Sequence, residues 1–228
     1  MPRRKRVATG GFVYHVVNRA VAREKIFRKT ADYQAFEQVL EQAQDRVAMR
    51  LLAFCLMPNH WHLVVWPRCD GDLSEYLRWL TVTHTKRWHS HHGTIGTGAL
   101  YQGRFKSFPV QEDDHFLTVC RYVERNALRA NLAERAEQWR WSSLWHRRQR
   151  STSVSLATWP VACPRSWLTF VNRAETEAEL QALRKSVKRG APFGEADWQE
   201  QTAAVLELES SLRPRGRPRL PEPDAQAE

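Results

Sequence analysis

The chain has 228 residues, enough for one domain of ordinary size with appendages. Hydrophobic residues make up 42% of it and aromatic residues 11%, a composition that excludes a largely disordered protein. The formal net charge of +10 favours a polyanionic partner such as nucleic acid, because binding to phosphates releases condensed counterions. No apolar run approaches about 18 residues, so a membrane partner is not expected. Four scattered cysteines and a basic start without a following apolar segment favour the cytoplasm.

The first 67 residues predict a strand, a helix and two further strands. Residues 11–20 are rich in β-branched and aromatic side chains, which is typical of a strand. Residues 30–47 place apolar side chains at helical spacing behind Thr30 and Asp32, which suit a helix start. Residues 50–67 predict two strands joined by a tight turn at Pro58-Asn59.

The pattern continues with a helix over 72–92, whose Leu73, Leu77, Leu80 and Val82 are expected to face inward. A glycine-rich loop precedes a strand over 104–111, and Pro109 implies an edge strand or a bulge. A third helix is predicted over 113–132. The order strand, helix, strand, strand, helix, strand, helix predicts an α+β fold, in which helices cover a ferredoxin-like antiparallel sheet.

The composition changes after residue 148, which divides the chain into four predicted parts. Residues 1–148 form the first domain, and 149–173 are predicted to be a linker. Residues 174–211 predict a small helical C-terminal extension. Residues 212–228 are rich in proline and charge and predict a disordered tail.

Two histidines open the second strand of the predicted pair. Residues two apart in a strand point to the same face, about 6.6 Å apart along the chain, so His60 and His62 project together while Trp61 points into the core. Two imidazoles on one face can bind a divalent ion and leave positions open for a substrate. The competing interpretation is a pair of surface polar residues, which is the commoner outcome without a third ligand.

The third helix supplies two residues that favour the metal interpretation. Tyr122 and Asn126 are four apart and therefore share a helix face. If that face lies over the sheet, Asn126 supplies an oxygen ligand and Tyr122 a nucleophile. Two imidazoles, an amide oxygen and open positions suit Mg²⁺ or Mn²⁺ holding phosphate oxygens. A tyrosine hydroxyl attacks weakly at its ordinary pKa of about 10, and a nearby cation favours its phenolate form.

The stretches "LMPNHWHLVVWP" and "YVERNALRANL" resemble the His-hydrophobic-His motif and the catalytic-tyrosine helix of the single-tyrosine (HUH) transposases. The stretches "YHVVNRA", "ALYQGRFKSFPVQ", "WRWSSLW", "GAPFGEADW" and "LESSLRPRGRPR" are similar to the REP-associated branch of that family, so the resemblance covers nearly the whole chain. It implies a ferredoxin-like core that cleaves and rejoins single-stranded DNA at hairpins.

The resemblance also implies a role for each candidate residue. His60 and His62 would hold the divalent ion, and Asn126 would complete its site. Tyr122 would attack the scissile phosphate, leaving a 5′-phosphotyrosine link and a free 3′-OH. Relatives usually have Asn-Pro after this tyrosine, whereas this chain has Asn126-Ala127, so we expect the helix to run on.

Basic residues are the candidates for contacts with the DNA backbone. The run 2–6 is interpreted as a phosphate-contacting arm, with a solvated tail as the alternative. The stretch 213–219 resembles an AT-hook, with a disordered tail as the alternative. The expected DNA-binding residues are Arg3, Arg4, Lys5, Arg6, Arg78, Lys86, Arg87, Arg104, Lys106, Arg213, Arg215, Arg217 and Arg219.

Two other functions compete with strand transfer. A domesticated relative could bind structured DNA or RNA without cutting it, although all four candidate catalytic residues are present. A replication-initiator nickase shares the two-histidine motif, but the short chain and the lack of a helicase segment count against it. A monomer is favoured, with a dimer as the alternative.

Overall fold

A computed structural model describes residues 8–213 of the chain. Its four strands are β1 (Val13–Arg19), β2 (Arg50–Met57), β3 (His60–Trp66) and β4 (Lys106–Val110). They form one antiparallel sheet in the order β2-β3-β1-β4. The α+β prediction with a ferredoxin-like antiparallel sheet is confirmed.

Nine helices accompany the sheet in the described part of the chain. Two single turns of 3₁₀ helix are also present, Val21–Arg23 after β1 and Ala136–Gln138 before residue 143. The helices are α1 (Thr30–Arg46), α2 (Asp72–His92), α3 (Asp114–Glu124), α4 (Asn126–Arg129), α5 (Ser143–Gln149), α6 (Trp167–Asn172), α7 (Glu177–Arg189), α8 (Ala196–Val205) and α9 (Glu209–Leu212).

The sheet has a hydrophobic core on each face, because successive side chains of a strand point to opposite sides. Trp61 and Leu63 of β3 join the core formed with α1 and α2. Val64 of β3 and Phe108 of β4 join the core formed with α3. The two faces therefore separate the α1–α2 layer from the α3 layer.

Most sequence-based elements agree with the structure. Helix α2 has the predicted bounds and ends at Gly93, whose φ of 64° is the left-handed conformation that glycine adopts at low cost. The predicted turn at Pro58-Asn59 joins β2 to β3. Val82 does not face inward as expected: it is 47% exposed, whereas Leu73, Leu77 and Leu80 are buried as predicted.

The third helix is shorter than predicted. Helix α3 ends at Glu124, Arg125 separates it from the four-residue α4, and the chain leaves the helical course at Asn131, which has a φ of 55°. Helical structure nevertheless resumes at Asn126 and continues through Ala127 to Arg129, whose N–H donates to the carbonyl of Arg125, so the helix runs on past Asn126 as expected but only to Arg129. The last residue of α3, Glu124, is fully buried, and its carboxylate accepts hydrogen bonds from Ser143 at 2.6 Å and from Trp167 at 2.8 Å.

Residues 149–173, predicted to be a linker, instead pack along β2. They contain helix α6, and Val154 and Trp167 are buried. The backbone N–H of Ala157 donates to the carbonyl of Leu51, and the Trp159 indole donates to that of Leu52. Leu52 is the extra residue of a bulge in β2, where the ladder of hydrogen bonds to β3 is interrupted. Its carbonyl can therefore accept the indole N–H of Trp159.

The C-terminal extension covers the outer edge of β4. The N–H of Phe193 donates to the carbonyl of Pro109, and the N–H of Gln111 donates to the carbonyl of Phe193. β4 ends the strand order, as the proline in it implies. Between residues 8 and 213, no helix is both long and apolar enough to cross a membrane.

Candidate functional site

His60 and His62 project from β3 onto the sheet face that α3 covers. Their ring centroids are 5.0 Å apart, and the fully buried Trp61 lies on the opposite face. The predicted alternation along this strand therefore holds. His60 is half-buried, whereas His62 is only 4% exposed.

Both rings are neutral at pH 7. Burial, together with the positive charges of Arg19 and Arg129, lowers the pKa of His60 to about 4. Burial and the neighbouring His60 and His15 rings hold the pKa of His62 well below its usual range. A neutral imidazole keeps the lone pair that a metal ion needs.

The orientation of each ring is fixed through its Nδ1 atom. Nδ1 of His60 lies 2.6 Å from Oδ1 of Asn59, and Nδ1 of His62 lies 2.9 Å from Nε2 of His15. When these Nδ1 atoms carry the protons, each ring offers its Nε2 lone pair. This donor set fits a divalent ion, because ligating histidines usually donate their second N–H to a fixed acceptor.

Sequence reasoning missed His15. It lies on β1 two residue pairs along the ladder from the Val17–His62 pair, so its side chain is on the same sheet face as His62. Burial lowers its pKa to about 3, and its Nδ1 is buried with no hydrogen-bond partner among residues 8–213. The histidine stands in a predicted strand, but only the register of β1 against β3 pairs it with His62.

Tyr122 approaches the histidines from α3. Its half-buried ring meets His62 edge-on, with the centroids 5.7 Å apart, and lies 6.2 Å from the ring of His15. Three of the four predicted catalytic residues therefore come together.

Asn126 is the first residue of α4, which packs against β2, the strand paired with the histidine-bearing β3. It is 6% exposed, and its side-chain Nδ2 has no hydrogen-bond partner within the described part of the chain. The next residue, Ala127, bonds through its backbone to Cys55, the ladder partner of His62. An unpartnered buried amide at this position can turn to offer its oxygen.

A second residue that sequence reasoning missed is Arg129. Its guanidinium lies 4.2 Å from the centroid of the Tyr122 ring, a cation–π contact. It also forms an ion pair at 2.8 Å with Glu175, whose side chain is 2% exposed. Arg125 pairs with the same carboxylate at 3.3 Å. Glu175, at the start of the C-terminal extension, thus holds Arg129 over the ring of Tyr122.

Two adjoining cavities of about 400 and 420 Å³ lie between β1, α2 and the segment before β4. They share Asn18 and Arg104, and the first is also lined by Arg19, the ladder partner of His60. We call this surface the basic groove; its positively charged lining residues are Arg19, Arg78, Lys86, Arg104 and Lys106.

The other expected DNA-binding residues that the structure describes do not line the basic groove. Arg87 does not join the basic groove but lines a separate cavity beside His91. Arg213 ends the described chain, and its carbonyl accepts a hydrogen bond from the Arg189 side chain. The remaining predicted contacts lie outside the described residues: Arg3, Arg4, Lys5, Arg6, Arg215, Arg217 and Arg219.

The family model described as "Transposase IS200 like" matches residues 9–126, just over half of the chain. The chain belongs to the IS200-like transposase family. The matched range begins before β1 and ends at Asn126, so it contains both strand histidines and Tyr122. Family membership assigns the protein a transposase-like role in DNA processing.

Two solved structures are similar to this IS200-like chain. A REP-associated tyrosine transposase bound to a REP hairpin matches with a TM-score of 0.55 and 16% identity, covering 77% of this chain and 93% of that one. A Deinococcus radiodurans protein named as a transposase has a TM-score of 0.40 and 16% identity, covering 54% and 96%. The first likeness supports the shared fold. No curated protein sequence matches the chain significantly.

Proposed function

We propose that this IS200-like transposase cleaves and rejoins single-stranded DNA at hairpins, with Tyr122 as nucleophile and a divalent ion held by His60, His62 and Asn126. The observation that carries the proposal is the edge-on approach of Tyr122 to His62, with the ring centroids 5.7 Å apart. A tyrosine from a helix and two neutral imidazoles from a strand are the groups that phosphodiester transfer needs at one place.

The ligand set suits Mg²⁺ or Mn²⁺. Two imidazole nitrogens and one amide oxygen leave room for oxygen ligands from a phosphate. When bound, such an ion would polarise the phosphate and neutralise charge that develops on its oxygens. The chain's own part is to keep both imidazoles neutral and to fix their Nδ1 atoms with Asn59 and His15.

The proposed reaction exchanges one phosphodiester for another. A bond forms between the Tyr122 oxygen and phosphorus while the bond from phosphorus to the 3′ oxygen breaks. The phenolic proton is released, the departing 3′ oxygen takes up a proton, and the DNA stays attached through its 5′ phosphate. Attack by a 3′-OH on this link reverses the reaction and rejoins a strand. Arg129 over the Tyr122 ring limits the positions that the ring can adopt.

The basic groove is the proposed path of the DNA. It begins next to His60 through Arg19 and continues past Arg104 and Lys106, all three of which are cationic. Contacts of this kind position the backbone without reading the bases. A hairpin substrate is supported by the resemblance of the fold to that of a transposase bound to a REP hairpin. The basic arm at residues 3–6, the 213–219 stretch, the monomeric state and the cytoplasmic location stay predictions.

Incubation of the protein with labelled hairpin oligonucleotides and Mn²⁺ tests the proposal. We expect a nicked strand with a free 3′-OH and a covalent protein–DNA band after denaturing electrophoresis. Tyr122→Phe should form neither but should still bind the hairpin. Tyr33→Phe is the matched control, since Tyr33 packs against Trp141 on the other face of the sheet.

Two results would overturn the proposal. One is a covalent band from Tyr122→Phe. The other is hairpin binding that persists with a chelator while no divalent metal produces cleavage, which would identify a non-catalytic DNA-binding protein.

A further inference from the structure

A second group of metal-ligating side chains lies on the opposite face of the sheet, in the α1–α2 layer. Asp32 stands in the first turn of α1, and His91 and His92 end α2. One ligand atom from each lies within 4.8 Å of the other two. Among residues 8–213, this is the one group of three His, Cys, Asp or Glu side chains with that geometry.

Asp32 is held in a fixed orientation. Its Oδ2 accepts the backbone N–H groups of Arg28 at 2.8 Å and of Lys29 at 3.0 Å. The side chain is only 3% exposed, and its other oxygen, Oδ1, lies 3.2 Å from Nε2 of His92. Because the backbone N–H groups hold Oδ2, Oδ1 is already oriented as a metal ligand.

His92 is oriented as firmly. Its ring lies against Trp88, with the centroids 4.3 Å apart, and its side chain is 15% exposed. Nε2 is buried and makes no well-aligned hydrogen bond within the described part of the chain, although Oδ1 of Asp32 is close. An ion pair between Asp32 and His92 would not explain why a second imidazole lies beside them. The ring of His91 is perpendicular to that of His92, with the centroids 5.0 Å apart.

A cavity of about 220 Å³ adjoins these three residues, so an ion could reach them from solvent. His91 is exposed at its rim, whereas Asp32 and His92 are largely covered. Two imidazoles and one carboxylate with an open fourth position suit a borderline transition metal such as Zn²⁺ rather than Mg²⁺, which prefers oxygen ligands.

We propose that Asp32, His91 and His92 form a second metal site that takes Zn²⁺ or a similar transition metal. The ion would join the start of α1 to the end of α2 next to Gly93, and hence fix the base of the loop that follows α2. The site lies across the sheet from His60 and His62, so it does not depend on the proposed cleavage function.

Metal titration of the full chain tests this site once the proposed site at His60 and His62 has been removed by mutation. In a His60→Ala, His62→Ala background, metal-free protein titrated with Co²⁺ should bind one ion per chain and develop visible absorption. Adding His91→Ala should weaken binding at least about tenfold. Adding His115→Ala instead removes a histidine at the start of α3, outside the cluster, and should leave binding unchanged.

Thermal unfolding supplies a readout that does not depend on spectroscopy. Zn²⁺ should raise the Tm of the background protein, since a ligand that binds only the folded state stabilises it. The shift should be lost in His91→Ala, which should remain folded because His91 is exposed, and also in His92→Gln. Binding of Co²⁺ by His91→Ala and His92→Gln with the affinity of the background protein would overturn the proposal. So would the absence of any bound ion in the background protein.

Discussion

Nε2 of His15 lies 2.9 Å from Nδ1 of His62, within the sheet face that Tyr122 approaches. Because neutral imidazole has one donor and one acceptor nitrogen, this contact couples the proton positions of the two rings. With the proton on Nδ1 of His62, its Nε2 is free for an ion and His15 accepts. The tautomer of His15 therefore decides whether Nε2 of His62 is free to bind an ion.

Replacing His15 with alanine should weaken Mn²⁺ binding by about 10- to 100-fold, the usual effect of losing a partner that orients a ligand. Calorimetric titration of the metal-free protein measures it. Val17→Ala alters the same face of β1 directly opposite His62 but removes no hydrogen bond to that ring, so it should bind Mn²⁺ nearly as well as the parent. Equal losses in the two variants would contradict a specific role for His15.

Glu175→Gln should destabilise the protein and slow cleavage. The buried carboxylate pairs with Arg125 and Arg129, so its loss leaves two arginines without their counter-ion, at a cost of about 3 kcal/mol in the free energy of unfolding. Arg129 would also lose its anchor beside Tyr122.

Urea unfolding and single-turnover cleavage measure the two effects of Glu175→Gln. Glu177→Gln is a close control, since this carboxylate is 66% exposed and pairs weakly with Arg184, which makes a change below about 1 kcal/mol the expected result. If the two variants behave alike, the contact between Arg129 and Glu175 does not stabilise the site.

Lys106→Ala should reduce the salt dependence of hairpin binding. Each phosphate contact with a single strand contributes about 0.7 to the slope of log K against log salt, so the slope should fall by about that amount. Fluorescence anisotropy at several salt concentrations measures it. Arg148→Ala removes an equal charge from α5, which packs against β2 at the other edge of the sheet, and an unchanged slope is expected there.

His84 should make the protein less stable in acid. It is buried in the α1–α2 layer, where its Nδ1 accepts the hydroxyl of Tyr101 at 2.7 Å, and burial lowers its pKa to about 3. The unfolded chain takes up this proton near pH 6.5, so the free energy of unfolding falls as the pH drops from about 6.5 towards 3. The fall is about 1.4 kcal/mol per pH unit for this residue.

His84→Gln lacks this proton uptake and should show a correspondingly shallower pH dependence, whatever its stability at pH 7. Urea unfolding at pH 6, 5 and 4 compares the two slopes. Parallel curves for parent and variant would mean that His84 is protonated in the folded protein.

The sequence was sufficient for features that depend on local periodicity. The common face of His60 and His62 follows from strand alternation, and the end of α2 follows from Gly93. The antiparallel sheet covered by helices was likewise predicted from the order of strands and helices along the chain.

The missed features depend on contacts between distant parts of the chain. His15 and His62 are 47 residues apart, and Arg129 and Glu175 are 46 apart. No spacing rule links such positions. The buried carboxylate of Glu124 is likewise bonded by Ser143 and Trp167, which follow it by 19 and 43 residues. Residues 149–173 also contact distant elements, since the Ala157 N–H and the Trp159 indole donate to β2 and the Trp167 indole donates to Glu124.

The two bonds to Glu124 have a consequence for the evolution of such chains. The matched family region ends at Asn126, yet the carboxylate two residues beyond Tyr122 accepts hydrogen bonds from donors at positions 143 and 167. In a chimera that joins residues 9–126 of one relative to the remainder of another, the buried carboxylate at position 124 would lack its matching donors at positions 143 and 167. Positions 124, 143 and 167 are therefore expected to be inherited together, and the segment after the family core to diverge in step with it.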